Sequence, residues 1–295
     1  MLEMVFAIAL MDTVIAVPSE GTVYVHEWGV VTFTEASVVI GADPDMVTLD
    51  QPFPPDHFED MVVRAPVVYF YGEPFSGSFT VSVRSGSFLE AYPTPGDASL
   101  ISSPPFSGAS ARASWRINGT FPGTDRDVPS VDGTVSCVSG ELLELWREPP
   151  SMVLEFGDGS KEEFVYYECT MAPEDEDAYG PVILGDEGAS LDPGYRGELL
   201  RFVRTGDGVE MVNGPGEDVV GTLCEWAGGS MKSQELEALW GTWEGWIYDG
   251  AWRGDTLLVF PLPLSTIDNI TSIQLITDEW MDVEYSRFFL GMLSE

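Results

Sequence analysis

Basic residues are scarce in this chain. Its 295 residues include 13 lysines and arginines against 49 aspartates and glutamates, and the only lysines are Lys161 and Lys232. The formal net charge of -36 argues against nucleic acid as a partner, because such binding depends on basic side chains that neutralise phosphates. Anionic membrane surfaces are disfavoured for the same reason. We therefore expect no nucleic acid partner and no direct binding to anionic membranes.

Histidine and cysteine are scarce as well. The chain has two histidines, which excludes a histidine-rich metal site. Its three cysteines, Cys137, Cys169 and Cys224, lack zinc-site spacing, and their odd number allows one disulfide with a free thiol or no disulfide at all. The sequence has no glycine-rich phosphate loop, no cysteine-pair redox motif and no Gly-x-Ser-x-Gly elbow. These absences argue against nucleotide binding, thiol redox chemistry and serine hydrolase activity.

Long apolar runs are almost absent. Residues 1–18 hold an apolar stretch interrupted by Asp12, and it resembles the apolar part of an export signal or anchor, with the mature region starting at Ser19. A basic residue normally precedes such a stretch, whereas Leu2 and Glu3 stand here. The alternative is that residues 1–18 form a strand or helix of the fold. No other segment approaches the ~20 apolar residues of a membrane-spanning helix.

What the sequence does have is enough apolar surface to fold. Hydrophobic residues make up 44% of the chain and aromatic residues 12%, which argues against disorder. The acidic residues stand singly between apolar runs, so they predict a charged coat around a packed body. Such self-repulsion requires screening by salt or bound cations. We expect a protein adapted to high salt; the alternative is an acidic exported protein that holds Ca²⁺.

The pattern of short apolar segments predicts a mainly β fold. Strand-like runs recur at short spacing between turn residues, including a three-stranded meander over residues 65–92 and a strand over 219–226. From residue 233 the period changes to three and four, which predicts an amphipathic helix near 233–248 capped by Ser233. We expect two β-sandwich-like parts, residues 19–165 and 166–295, with this one helix packed on the second.

Two residues of a strand-like segment attract attention as catalytic candidates. His26 and Glu27 are adjacent, but no second histidine follows at the spacing of a zinc protease, and alternate residues of a strand point to opposite faces. The simpler interpretation is a half-buried histidine hydrogen-bonded inside the sheet. His57, in an acidic loop, is either a surface residue or a site residue. We keep His26, Glu27 and His57 as the catalytic candidates.

Two acidic clusters are candidates for binding Ca²⁺, the one cofactor we consider. The second cluster, which begins at Asp175, partly matches an EF-hand loop, although Tyr179 occupies a ligand position and no helices flank the cluster. In a chain this acidic, chance clusters are expected, so solvated loops are the alternative. The candidate ligands are Asp125, Asp127 and Asp132 in the first cluster and Asp175, Asp177 and Asp186 in the second.

Three tryptophans recur along the predicted helix. Trp240, Trp243 and Trp246 follow helical spacing among leucines, with Trp252 beyond them. Aromatic residues at this spacing are typical of a core-facing stripe. The alternative is a platform on which a sugar stacks.

Five segments together resemble a group of uncharacterised, mostly exported prokaryotic proteins with a His-Glu-Trp-Gly-Thr-Phe-Thr-like N-terminal motif. The segments are residues 26–34 (His-Glu-Trp-Gly-Val-Val-Thr-Phe-Thr), 65–71 (Ala-Pro-Val-Val-Tyr-Phe-Tyr), 88–93 (Phe-Leu-Glu-Ala-Tyr-Pro), 163–167 (Glu-Phe-Val-Tyr-Tyr) and 240–246 (Trp-Gly-Thr-Trp-Glu-Gly-Trp). They span most of the chain in order, with departures at Val30-Val31 and Glu168-Cys169. The resemblance implies export and a β-rich body, but no activity and no catalytic residues.

These observations lead to two expectations of function. The first is an exported or cell-surface, non-catalytic structural or binding protein of an acidic, salt-adapted type, with a surface protein or a glycan as partner. The second is a secreted hydrolase of polysaccharide or peptide that uses carboxylates as acid and base. A hydrolase should show carboxylates converging in an aromatic-walled cleft beside His26 or His57. A binding or structural protein should show those histidines packed and the acids dispersed.

Overall fold

The computed structural model describes residues 21–33, 61–84, 86–96, 111–121, 140–171, 179–185, 188–214, 218–252 and 254–295. These residues form a mainly β fold, as the strand pattern predicts. The strands are β1 Thr22–Phe33, β2 Met61–Gly72, β3 Phe75–Val83, β4 Gly86–Tyr92, β5 Ala111–Thr120, β6 Val153–Phe156, β7 Lys161–Glu162, β8 Val165–Met171, β9 Val182–Gly185, β10 Gly188–Leu191, β11 Leu200–Thr205, β12 Gly208–Asn213, β13 Thr256–Pro261, β14 Thr271–Thr277 and β15 Asp282–Ser294. The helices are α1 Gly140–Trp146, α2 Val219–Ala227, α3 Ser233–Tyr248 and α4 Leu264–Ile270.

An eight-stranded sheet forms the middle of the molecule. Its strand order is β12-β11-β13-β15-β1-β2-β8-β4, with β1 parallel to β15 and antiparallel to β2. Both faces of β1 are covered, so its residues from Glu27 to Phe33 are buried without a break. A strand buried on both sides needs apolar residues at nearly every position, which explains the run Trp-Gly-Val-Val.

One face of this sheet packs on a smaller sheet to make a sandwich. The smaller sheet has the order β14-β3-β5-β6-β7, and β3 and β5 alternate buried and more exposed residues as half-buried strands do. The core between the sheets includes Val25 and Phe70 from the large sheet and Phe79 and Trp115 from the small one. Strands β9 and β10 form a separate two-stranded ribbon.

The opposite face of the large sheet is covered by α1, α2 and α3. Trp28 and Tyr69 of the sheet pack there with Trp146 of α1, Leu223 of α2 and Leu239 of α3. The described part of the chain therefore has three layers: small sheet, large sheet and helices. Each of the two spaces between layers holds its own apolar core.

The expected division into residues 19–165 and 166–295 does not follow these layers. Strands β1, β2 and β4 come from the first part and β8, β11, β13 and β15 from the second, yet all lie in one sheet. The helix expected to pack on the second part alone also contacts a core that includes residues of β1 and β2. The reason is the pairing of β1 with β15, which joins the two ends of the described chain. Residues 1–18, the expected signal or anchor, lie outside the described residues.

Two local expectations are also wrong. Residues 65–92 do not form a meander, because β2 and β4 both pair with β8 while β3 pairs with β5 in the other sheet. Residues 219–226 form α2 rather than a strand. The Asp218 side chain accepts a hydrogen bond from the Gly221 backbone at the start of α2, and Gly228 ends the helix in a left-handed conformation. These end signals outweigh the strand preference of the residues between them.

Candidate functional site

Strand β1 presents His26 and Glu27 to opposite faces of the large sheet. His26 lies on the helix side, where it contacts α3, and Glu27 lies between the two sheets. Strand alternation predicts this arrangement. The two side chains therefore belong to separate clusters and cannot act on one ligand.

His26 is held by a buried carboxylate that the sequence did not single out. Its Nδ1 lies 3.1 Å from each carboxylate oxygen of Glu235, whose side chain is fully buried. Tyr71 of β2 donates a hydrogen bond of 2.8 Å to the same carboxylate, and the Lys232 backbone N–H donates another of 2.6 Å. Four contacts thus satisfy both oxygens of Glu235. We call His26, Tyr71, Lys232 and Glu235 the helix junction.

The position of Glu235 follows from how α3 begins. The helix starts at Ser233, and Glu235 returns to accept the backbone N–H of Lys232, which would otherwise lack a partner. Lys232, and not Ser233, is therefore the residue at the helix cap. The acidic residue in this first turn is also favourable to the helix dipole. The helix junction fastens the start of α3 to β1 and β2.

Burial shifts the pKa values of two residues of the helix junction, Tyr71 and Lys232. It raises the pKa of the Tyr71 hydroxyl, and the neighbouring Glu235 raises that pKa further, so the phenol keeps its proton and donates. The ammonium of Lys232 lies 3.3 Å from the centroid of the Tyr71 ring, a cation–π contact. Burial lowers the pKa of Lys232, and Glu235 acts in the opposite direction. A histidine beside a carboxylate can serve as an oriented base, but this carboxylate also accepts hydrogen bonds from two other groups of the fold, the Tyr71 hydroxyl and the Lys232 backbone N–H.

Glu27 is equally committed on the other face. Its carboxylate accepts a 2.5 Å bond from Arg287 Nε and a 2.7 Å bond from the Tyr167 hydroxyl. Arg287 also donates to the Thr271 carbonyl oxygen and to Asp268. Burial, followed by the influence of Glu27, raises the pKa of Tyr167. We call Glu27, Arg287, Tyr167, Thr271 and Asp268 the inter-sheet junction.

A third buried carboxylate positions α1. Glu162 is fully buried and accepts bonds from Arg147 at 2.7 and 3.0 Å and from Tyr92 at 2.6 Å. Arg147, just after α1, also reaches Glu144 of that helix at 2.7 Å. Trp146 then links α1 to α3 by donating from Nε1 to Thr242 Oγ1 at 2.9 Å. These bonds hold the two helices at a set separation.

An open groove lies between α1 and α3, with a volume of about 560 Å³. We call it the acidic groove. Gly241 and Gly245 make room on the α3 side, since a Cβ at Gly245 would meet nothing within 4 Å. A Cβ at Gly241 would approach Leu145 of α1 at 3.0 Å. The lining residues are Glu141, Leu142, Glu144, Leu145, Glu148, Gly241, Thr242, Gly245, Trp246 and Asp249.

The tryptophans of α3 divide between core and groove. Trp240 and Trp243 are buried in the helix-side core, which confirms the interpretation of a core-facing stripe for these two, and Trp252, beyond the helix, is buried there as well. Trp246 is half-buried and lines the acidic groove. The segment Trp-Gly-Thr-Trp-Glu-Gly-Trp therefore builds both a core face and an open face of one helix.

The remaining candidates fall largely outside the described part of the chain. His57 and all six proposed Ca²⁺ ligands, Asp125, Asp127, Asp132, Asp175, Asp177 and Asp186, lie outside the described residues. Among the residues that are described, no group of three histidine, cysteine or acidic side chains could hold a metal ion. Cys169 is a buried free thiol, and Cys224 is a half-buried one.

Sequence reasoning missed the partners of the two candidate residues. Glu235, Tyr71 and Arg287 are separated from His26 and Glu27 by dozens to hundreds of residues, so no local spacing points to them. Two local signals were present. One is an acidic residue in the first turn of a predicted helix, and the other is the pair Gly241 and Gly245, four residues apart, which opens one face of that helix.

Comparisons of the chain with protein family models, with curated proteins and with solved structures found no match. The resemblance to exported prokaryotic proteins therefore stays a prediction. No helix in the described part of the chain is both long enough and apolar enough to cross a membrane.

Proposed function

We propose that this protein is a non-catalytic binding protein of the cell exterior, adapted to salty surroundings by its acidic coat. The observation that carries the proposal is the acidic groove, an open surface with an apolar floor and carboxylates at its rim. Binding sites are typically concave, mostly apolar and edged by a few polar groups. The partner is a surface protein or a glycan.

The contacts of His26 and Glu27 favour a structural role for both residues. A general acid or base must reach the proton it transfers, with a heavy-atom separation of about 3 Å or one bridging water. His26 instead holds α3 to the large sheet in the helix junction, and Glu27 holds Arg287, which reaches Thr271 of the small sheet, in the inter-sheet junction. Neither residue lines the acidic groove.

A buried carboxylate suits this structural task. Removing its partner leaves an uncompensated charge, so each junction favours a single arrangement of the layers it joins. The acidic groove depends on that arrangement, because α3 is placed by the helix junction and α1 by Arg147 and Glu162. The two buried carboxylates, Glu235 and Glu162, thus help to position the helices that form the walls of the groove.

The alternative function, a secreted hydrolase of polysaccharide or peptide, has one observation in its favour. The contact of His26 with Glu235 is of the kind that orients an imidazole as a general base. In that case the variant His26→Gln should abolish turnover while leaving the protein folded.

A single experiment separates these two functions. The purified protein, in about 1 M KCl to screen its charge, is incubated with polysaccharide and peptide substrates and is also applied to glycan and peptide arrays. We expect array ligands that the wild-type protein binds and the groove-filling variant Gly245→Leu does not. Circular dichroism of each variant serves as the folding control. Turnover that is lost in His26→Gln would instead establish the hydrolase.

A further inference from the structure

We propose that the acidic groove binds a basic peptide segment of a partner protein, with an apolar or aromatic side chain on the groove floor and lysine or arginine at the rim. This inference rests on the proposed function, because it assumes that the groove is the binding surface. It adds the chemical class of the partner.

The groove floor fits an apolar side chain. Leu142 and Leu145 of α1 are half-buried there, and Trp246 of α3 is half-buried opposite them. Gly245 leaves open space where any other residue would place a side chain. An inserted aliphatic or aromatic group would remove this apolar surface from water, which is favourable in proportion to the area covered.

The groove rim fits cations. Glu141, Glu148 and Asp249 are exposed and line the groove, whereas Glu144 already has Arg147 as a partner at 2.7 Å. Opposite charges attract more strongly beside apolar, poorly hydrated surface than in bulk water. An arginine or lysine here could also lie against the face of Trp246.

The chain itself does not supply such a segment. Every stretch of two or more residues outside the described part has more acidic than basic residues; these stretches are 1–20, 34–60, 97–110, 122–139, 172–178, 186–187 and 215–217. A second copy of the chain, with its net charge of -36, would bring mostly acidic surface against the acidic rim and so offers no complementary charge. Charge complementarity therefore points to a foreign, basic partner whose cations contact the rim carboxylates directly.

The test uses three synthetic peptides as probes. The first alternates lysine with leucine and tryptophan, the second replaces each lysine by glutamate, and the third keeps the lysines but replaces the apolar residues by glycine. Binding to the full chain is measured by fluorescence anisotropy at low and at high salt. We expect only the first peptide to bind tightly, with affinity that falls as salt rises.

Three protein variants locate the binding. Gly245→Leu fills the groove and should weaken binding at least tenfold. The triple variant Glu141→Gln, Glu148→Gln, Asp249→Asn removes the free rim charges and should also weaken it at least tenfold. The matched control Glu210→Gln, Glu225→Gln, Glu284→Gln removes the same charge from exposed positions outside the groove lining and should change binding less than twofold.

The outcomes distinguish failure of this inference from failure of the proposed function. Equal weakening by both triple variants, with no effect of Gly245→Leu, would show attraction to the acidic coat in general and overturn the inference alone. Binding of an uncharged glycan that is blocked by Gly245→Leu, with no peptide binding, would also overturn the inference but support the proposed function. Cleavage of a bound peptide would overturn both.

Discussion

The inter-sheet junction allows a direct test of how much one buried ion pair stabilises this fold. The perturbation is Arg287→Met, which removes the charge but keeps most of the side chain's apolar length. In the native protein the side chains of Arg287 and Glu27 are 5% and 0% exposed. After the substitution, the Glu27 carboxylate keeps a hydrogen bond from Tyr167 but has lost its counter-charge.

The expected loss is large. Breaking a buried ion pair by removing one partner typically costs about 3–5 kcal/mol of unfolding free energy. We therefore expect a fall in melting temperature on the order of 10 °C. Urea unfolding at constant salt gives the free energy directly.

Two control proteins make the measurement decisive. Arg116→Met breaks an ion pair of the same kind with Asp278, but those side chains are 50% and 44% exposed, so we expect little change. The double variant Glu27→Met, Arg287→Met removes both charges and should recover at least half of the loss. If Arg287→Met costs no more than Arg116→Met, the buried ion pair stabilises the fold no more than an exposed one.

Four further results are expected. Gly245→Ala should raise the unfolding free energy by about 0.5–1 kcal/mol, because the site is an open helix position where glycine is unfavourable; a lower value would mean that the added methyl group meets a neighbour. Because burial and then a neighbouring glutamate raise the pKa of Tyr71 and Tyr167, the stability from these phenols is present below about pH 10 and is lost as the pH rises above it. Their phenolate absorbance should therefore appear together with alkaline unfolding followed by circular dichroism, and ionisation in the folded protein would contradict this. With Cys137 replaced by serine, a thiol reagent should label the half-buried Cys224 in the native protein and the buried Cys169 only in denaturant, since burial raises the pKa of both and seals only the second. The melting temperature should rise between about 0.01 and 1 M KCl as the coat is screened; equal melting temperatures across this range would remove the argument for salt adaptation.

Much of the local structure could be predicted from sequence patterns. The helix over 233–248 is found as Ser233–Tyr248, and the Gly-Asp-Gly-Ser sequence at 157–160 predicts the turn that follows β6, although β6 pairs with Lys161–Glu162 and not with the predicted strand over 163–169, which lies in the large sheet. Both depend on signals within a few residues, such as helical spacing of apolar side chains and glycine in a tight turn. The error at α2 shows the limit, because its residues favour a strand and only the signals at its two ends indicate a helix.

The surroundings of the two described catalytic candidates were predictable only in part. The sequence was sufficient to single out His26 and Glu27 and to place them on opposite faces, because alternation is a property of any strand. It could not show that Glu235 and Arg287 are their partners. Those contacts depend on which strands pair and on where α3 lies, and neither has a local signal.

The amino-acid sequence by itself determined an acidic, folded, mainly β protein with an apolar core and an amphipathic helix rich in tryptophan. Composition and short-range periodicity are enough for that, since they specify what each segment must bury. Only the tertiary structure decided that β1 lies beside β15, that two candidate catalytic residues fasten separate layers, and that α1 and α3 leave a groove. These features arise from contacts between residues far apart in the chain, where burial of charge and of apolar surface selects one arrangement among many that the local pattern allows.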